Sequence, residues 1–258
     1  MERKARILHD VRSALRRSPR EDLRRRGIQV FFDGGDLVLD GEVDEVADKK
    51  TALRAAAAVP GVSAIIDRLS LRGVERCSDT ELLRRARRSI ADDPALADCL
   101  LESTLSEDHS REEILCPEGW QGFIEIRAED GVLTLDGEVP SLTHKRLAGV
   151  LAWRLPGCRD VVNGLELDPP EEDSDAKIAD AVSLVVGRPH PANILSVRVT
   201  VQAGVVALEG HIPAEQARAI ERDVWAIFGV DQILSSLHPN PTFEGGAGGS
   251  SARGASPP

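Results

Sequence analysis

Gly131-Val-Leu-Thr-Leu-Asp-Gly137-Glu-Val139 is one of three versions of a single phrase. The others are Gly35-Asp-Leu-Val-Leu-Asp-Gly41-Glu-Val43 and Gly204-Val-Val-Ala-Leu-Glu-Gly210-His-Ile212. An internal repeat has to be found first, because it sets the architecture. Here a glycine, alternating aliphatics, an acid, a second glycine and a closing aliphatic recur at fixed offsets. Alternation at period two reads as a strand, and the leading glycine reads as the turn that feeds it. The phrase divides the 258 residues into three small modules.

Upstream of each phrase lies another alternating set: Ile28, Val30, Phe32, then Ile124, Ile126, Ala128, then Val197, Val199, Val201. The connections are Asp33-Gly34-Gly35, Glu129-Asp130-Gly131 and Gln202-Ala203-Gly204, tight turns of the kind that close hairpins. Before the hairpin comes an amphipathic helix. Its stripes are Ile7, Leu8, Val11, Ala14, Leu15; then Leu82, Leu83, Ala86, Ile90; then Ile178, Ala181, Val182, Val185, with Ser174 or Asp175 as N-cap.

After the second glycine a further helix starts beyond Asp44, at Ser141 and beyond Pro213. It stops at Pro60-Gly61, Pro156-Gly157 and Gly229, where glycine suits a helix end. A last strand ends each copy at Leu69, Leu165 and Leu237, which lie 28, 28 and 27 residues after the second glycine. The third copy has lost one residue at its helix end.

The order is α-β-β-α-β. Two strands form a hairpin and the third lies parallel to the second by a right-handed crossover. The expected fold is α+β, with three tandem modules, each a mixed three-stranded sheet with two helices packed on one face. The modules span 1–72, 79–168 and 174–239, and the Gly/Ser/Pro-rich stretch 240–258 is expected to be disordered. Asp168-Pro169-Pro170-Glu171-Glu172-Asp173 reads as a stiff acidic linker. The second copy carries an insertion at about 97–118, where Leu96, Leu100, Leu101 and Leu105 suggest one more short helix. The glycines Gly35, Gly41, Gly61, Gly131, Gly137, Gly157, Gly204, Gly210 and Gly229 are read as the structural skeleton.

Charge is uneven. The chain carries −11, yet residues 1–26 hold ten Lys/Arg against four Asp/Glu. The remainder is therefore strongly acidic, which argues against nucleic acid as a general partner. The basic arm is a candidate contact for anionic lipid, through Arg16, Arg17, Arg24, Arg25 and Arg26. The charged start and the lack of a long apolar run lead us to expect a cytoplasmic chain, peripheral at the inner membrane, without a transmembrane segment.

No catalytic, metal or cofactor site is expected. Walker, G-x-S-x-G and H-E-x-x-H motifs are absent from the sequence. Cys99, His109 and Cys116 lack the close Cys pair of a zinc knuckle. Asp40, Asp136 and Glu209 form an acidic column that reads as outward residues at strand ends. His211 replaces Glu42 and Glu138, and reads as a surface residue. Trp153 and Trp225 read as packing at the core edge, and Trp120 as a cover for the insertion.

The turn glycine, the Leu-x-Leu-[Asp/Glu]-Gly-x-[Val/Ile] strand end and the Pro-Gly stop before the last strand resemble the BON domain. This bacterial module is named for osmotic-stress and nodulation proteins. The resemblance implies a non-catalytic binding or scaffold protein that contacts phospholipid surfaces or an envelope-associated partner in stress response or envelope maintenance. It also implies one alternative, a sensor of potassium or a small ligand; the three tandem copies themselves suggest another, a multivalent protein-interaction module that gains avidity.

Overall fold

The structure is a computed structural model that describes residues 2–20, 23, 27–75, 77–105, 111–188 and 197–238. The first repeat comprises α1 (Glu2–Arg16), β1 (Gln29–Asp33), β2 (Asp36–Val43), α2 (Val46–Ala57) and β3 (Ile65–Leu71). In the second, α3 (Asp79–Ala91) and a 3-10 turn (Pro94–Leu96) precede β4 (Cys99–Leu105) and β5 (Arg111–Leu115). It continues through β6 (Gly122–Glu129), β7 (Val132–Val139), α4 (Leu142–Trp153), β8 (Asp160–Asn163) and β9 (Glu166–Leu167). The third has α5 (Asp175–Val186), β10 (Arg198–Gln202), β11 (Val205–His211), α6 (Ala214–Ala226) and β12 (Gln232–His238).

All three repeats have the expected pairing. The hairpin strands are antiparallel, as in Ile126 opposite Leu135, and the strand after the crossover helix is parallel, as in Leu133 beside Val161. The turns have positive φ at both central residues, for example 52° at Asp130 and 77° at Gly131, which matches the right-handed twist of the strands. Ser174 caps α5 and Ser141 caps α4. Asp175, in the first turn of α5, accepts from the backbone N–H groups of Ala203 and Gly204. Asp79 of α3 holds the turn at Asp130 and Gly131 in the same way. In these two repeats a carboxylate at the head of the first helix thus locks the hairpin of its own module.

The insertion is the main departure from the sequence reading. No short helix forms from Leu100 to Leu105. That stretch is β4, which pairs parallel with β6 and antiparallel with β5, giving a six-stranded sheet of order β5-β4-β6-β7-β8 with β9 beside β7. Cys99, Leu101 and Ser103 are buried in alternation, which is the period of a strand. Ser103 hides that period in the sequence because it is polar. It accepts a hydrogen bond from Arg87 of α3 at 2.7 Å, which allows its burial.

The modules do not stand apart. One apolar core runs from Leu82 in α3 through Leu147 and Leu151 in α4 to Ile178 in α5 and Val224 in α6, so the second and third repeats share it. The first repeat has its own core around Val11, Leu37, Leu39 and Leu69. It docks onto the others through polar contacts. Lys49 Nζ reaches Asp160 at 2.7 Å, Lys50 Nζ donates to the carbonyl of Ile227 at 2.6 Å, and Arg54 donates to the carbonyl of Asp231. The backbone also crosses the seam, where Leu71 N–H donates to the Arg159 carbonyl at 2.8 Å. Between the second and third repeats, Arg154 at the end of α4 reaches Asp223 of α6 at 2.6 Å. The acidic stretch before α5 is no free spacer. Glu171 accepts from Leu142 N–H, and Asp173 accepts from Arg146 at 2.7 and 2.8 Å.

Candidate functional site

The basic face of the first helix is built on a firm base. Ile7, Val11 and Leu15 are buried under α1. Arg3, Lys4, Arg6, Arg12, Arg16 and Arg17 are all exposed: Arg6, Arg16 and Arg17 lie opposite the apolar stripe, Arg12 flanks it, and Arg3 and Lys4 stand at its N-terminal end. A helix of period 3.6 with one apolar stripe leaves the remaining arc to solvent, so these cations fan outward. Two of them are steadied locally: Arg12 donates to the carbonyl of Val30 at 2.8 Å, and Lys4 lies 5.0 Å from the centre of the Phe32 ring. Arg16 and Arg17 close the helix at its C-terminal end, where the helix dipole favours positive charge. Arg24, Arg25 and Arg26 lie outside the described residues. Next to them Arg20 turns inward, to Glu45 at 2.6 Å and to the buried carboxylate of Asp48. The first helices of the other repeats differ. In α3, Arg84 and Arg85 are tied to Glu81, and α5 carries a single cation, Lys177.

The repeat glycines are placed as structural elements. Gly35, Gly41, Gly61, Gly131, Gly137, Gly157, Gly204 and Gly229 have positive φ. At Gly137 a side chain would also strike the backbone carbonyl of Phe123, so that position is closed to other residues twice over. Gly210 sits within β11, and its φ is not among the positive ones. Of the acidic column, Asp136 is paired with Arg127 and Glu209 is exposed on β11. His211 is exposed, with its ring centre 5.8 Å from that of His238 on the neighbouring strand.

Among the described residues no group of three or more His, Cys, Asp or Glu is arranged to hold a metal. Cys99 is buried, and its thiol is pushed up to about 12 by burial, with the nearby Asp98 carboxylate adding to it. Cys116 is exposed, and His109 lies outside the described residues. Trp120 is half exposed beside Gly122. Trp153 and Trp225 line a cleft of about 390 Å³ to which all three repeats contribute, together with Arg20 and Glu45.

The sequence reading missed the polar junction where α2, α4 and α6 meet. Lys50 and Arg146 stand at one offset, nine residues after Gly41 and Gly137, and the third copy has Ala219 there. Both reach the trimmed helix end of the third repeat: Lys50 to the Ile227 carbonyl, and Arg146 Nε to the Phe228 carbonyl at 2.8 Å. The available signal was a basic residue recurring inside an otherwise apolar helix face. Its partners are backbone carbonyls, which no residue type announces.

The chain resembles two solved structures, both of CdsD, a structural protein of the type III secretion system of Chlamydia trachomatis. One is its C-terminal domain, 15% identical, with a TM-score of 0.24, covering 91% of this chain and 98% of that one. The other is also 15% identical, with a TM-score of 0.25, covering 93% and 95%. No curated protein matches the chain. The BON domain matches residues 4–73, 119–169 and 174–238, one segment in each repeat and together more than half of the chain. The chain belongs to the BON domain family, a family of non-enzymatic binding domains.

Proposed function

We propose that this protein attaches reversibly to anionic phospholipid surfaces through the outer face of α1, as an adaptor in envelope maintenance or stress response. The observation that carries the reading is the set of exposed cations on α1, Arg3, Lys4, Arg6, Arg12, Arg16 and Arg17, on a chain whose net charge is −11. The acidic remainder is repelled by the same surface, so the charge pattern orients as well as attracts. Each cation near an anionic leaflet contributes about 1 kcal/mol, and the effect fades within a Debye length of about 8–10 Å. Several such contacts support peripheral, salt-sensitive binding. No helix among the described residues is long and apolar enough to cross a membrane.

Co-sedimentation with phosphatidylglycerol and phosphatidylcholine vesicles tests this. We expect binding to the anionic vesicles only, weakened by salt and lost in the Arg3→Glu, Arg6→Glu, Arg16→Glu, Arg17→Glu variant. Equal binding to both vesicle types, or binding indifferent to that charge reversal, refutes it. The potassium alternative draws no comparable support. The carbonyls of Ile227, Phe228 and Val230, which gather at the junction, already accept from Lys50 and Arg146.

A further inference from the structure

The strand end that follows the second glycine is put to use in the first repeat, and that use shows what it takes. Glu42, next after Gly41, stands beside Ser70, next after Leu69, on the parallel strands β2 and β3. Arg159, just before β8 of the second repeat, reaches both. Its Nη2 lies 3.5 Å from Glu42 Oε1 and donates to Ser70 Oγ at 3.3 Å. The hydrogen bond from Leu71 N–H to the Arg159 carbonyl fixes the two modules in that register. One module thus docks on another by laying an arginine on this strand end.

The second repeat has the same strand end with more acid and no arginine on it. Glu138 stands beside Glu166 in the register of Glu42 beside Ser70. Asp168 follows where the first repeat has Arg72, and the two amides donate to the equivalent carbonyls of Val139 and Val43. The three carboxylates line a hollow of about 620 Å³ with Trp120, Phe123 and Asp136, and no Lys or Arg is in the lining. Asp136 is taken by Arg127. Glu138, Glu166 and Asp168 are exposed, and among the described residues no cation meets any of them. Trp120 is 50% exposed, and Phe123 lies opposite Glu138 at an offset where the first repeat has Gly27.

Like charges on neighbouring strands are destabilising, and a cation between them removes that cost. A guanidinium suits this hollow better than an ammonium. Its planar fork pairs with carboxylates, and its flat face stacks on an aromatic ring. A second copy does not offer the same contact. Two residues after the helix-ending glycine, where the second repeat has Arg159, the first has Ser63 and the third Asp231, and Arg159 itself is already placed.

We propose that this hollow is a docking site for an arginine presented by a loop of another protein. Glu138, Glu166 and Asp168 hold the guanidinium and Trp120 stacks on it, as the strand end of the first repeat holds Arg159. The hollow belongs to the second repeat and the basic helix to the first, so an acidic and a basic surface serve different partners.

The test uses the full chain and a fluorescent, capped peptide with two arginines among glycines, read by anisotropy. The lysine and citrulline forms of the same peptide are the controls. The arginine peptide should bind and be released by salt. The lysine form should bind about threefold more weakly, for want of the stacked guanidinium, and the neutral citrulline form should not bind. Glu138→Gln with Glu166→Gln should weaken binding about tenfold, and Trp120→Leu about threefold. These side chains are exposed, so Tm should stay within about 2 °C of the parent chain. The α1 charge-reversal variant should bind the peptide no more weakly than the parent, which separates this site from the lipid surface. No binding at millimolar peptide, equal binding of the lysine or citrulline form, or binding unchanged in the Glu138→Gln, Glu166→Gln variant overturns the proposal. So does self-association of the chain that is lost both in that variant and in the α1 charge-reversal variant, since a second copy would then be the occupant.

Discussion

Replacing Arg154 by methionine should destabilise the whole chain, through a residue it leaves behind. Asp223 on α6 is only 2% exposed, and its Oδ2 takes the Arg154 Nη2 at 2.6 Å. Methionine fills the space of the arginine stem but leaves that carboxylate inside without its partner. Removing one member of a buried pair costs about 3–5 kcal/mol. Arg222 offers partial relief, since its Nε lies 3.7 Å from Oδ1, but that side chain is 65% exposed and hydrated. We therefore expect the lower end, about 3 kcal/mol. At about 2–4 °C per kcal/mol for a chain of this size, Tm falls by roughly 6–12 °C in differential scanning calorimetry. The second arm decides the cause. Arg154→Met combined with Asp223→Asn removes the orphaned charge and should recover most of the loss. A penalty below about 1 kcal/mol, or a double variant no better than the single one, would refute a buried ion pair as the fastener between repeats.

Three further outcomes follow from the same geometry. Gly137→Ala should cost well over twice as much as Gly41→Ala in urea titrations: both have positive φ, but alanine at 137 also meets the Phe123 carbonyl, whereas at 41 the nearest atom, Ile28 Cα, is 3.8 Å away. Lys50 should leave a signature in alkaline solution. Its pKa is lowered from 10.5 to about 8, so below pH 8 folding carries the cost of a buried charge, and between 8 and 10.5 the unfolded chain binds more protons. Stability relative to Lys50→Met should rise across that window, by no more than about 3 kcal/mol, and a flat difference would contradict the burial of Lys50. Finally, a thiol reagent at pH 8 should label Cys116 quickly and Cys77 more slowly in the folded chain. It should spare Cys99 and Cys158, whose thiols burial pushes up to about 12, until urea is added; fast labelling of either would refute their burial.

The skeleton was readable because backbone geometry leaves marks on residue type. Alternation at Ile124, Ile126 and Ala128 announces a half-buried strand, and a turn with positive φ announces a glycine. The insertion was not readable, because its period is carried partly by Ser103, whose burial depends on Arg87 from another element. Apolar residues at 96, 100, 101 and 105 fit a helix equally well when that partner is unknown. The basic helix was visible as a charge imbalance, but its inward exception, Arg20, was not: its partner Asp48 lies 28 residues away. The junction stayed hidden for a similar reason. Lys50 and Arg146 satisfy backbone carbonyls contributed by a third copy, and the sequence gives no sign of which copies touch.

The shortened helix end of the third repeat has a consequence for the order in which the copies can be arranged. In an open solenoid each unit offers its successor the same surface, so nothing intrinsic limits the count. Here the first two copies each extend a cation from the same offset, and the third receives both and extends none, having Ala219 in that place. The three copies are therefore not interchangeable: two donate and the third accepts. A chain ending after residue 168 would strand Lys50 and Arg146 with neither carbonyl, so it should be less stable than its share of the apolar core predicts.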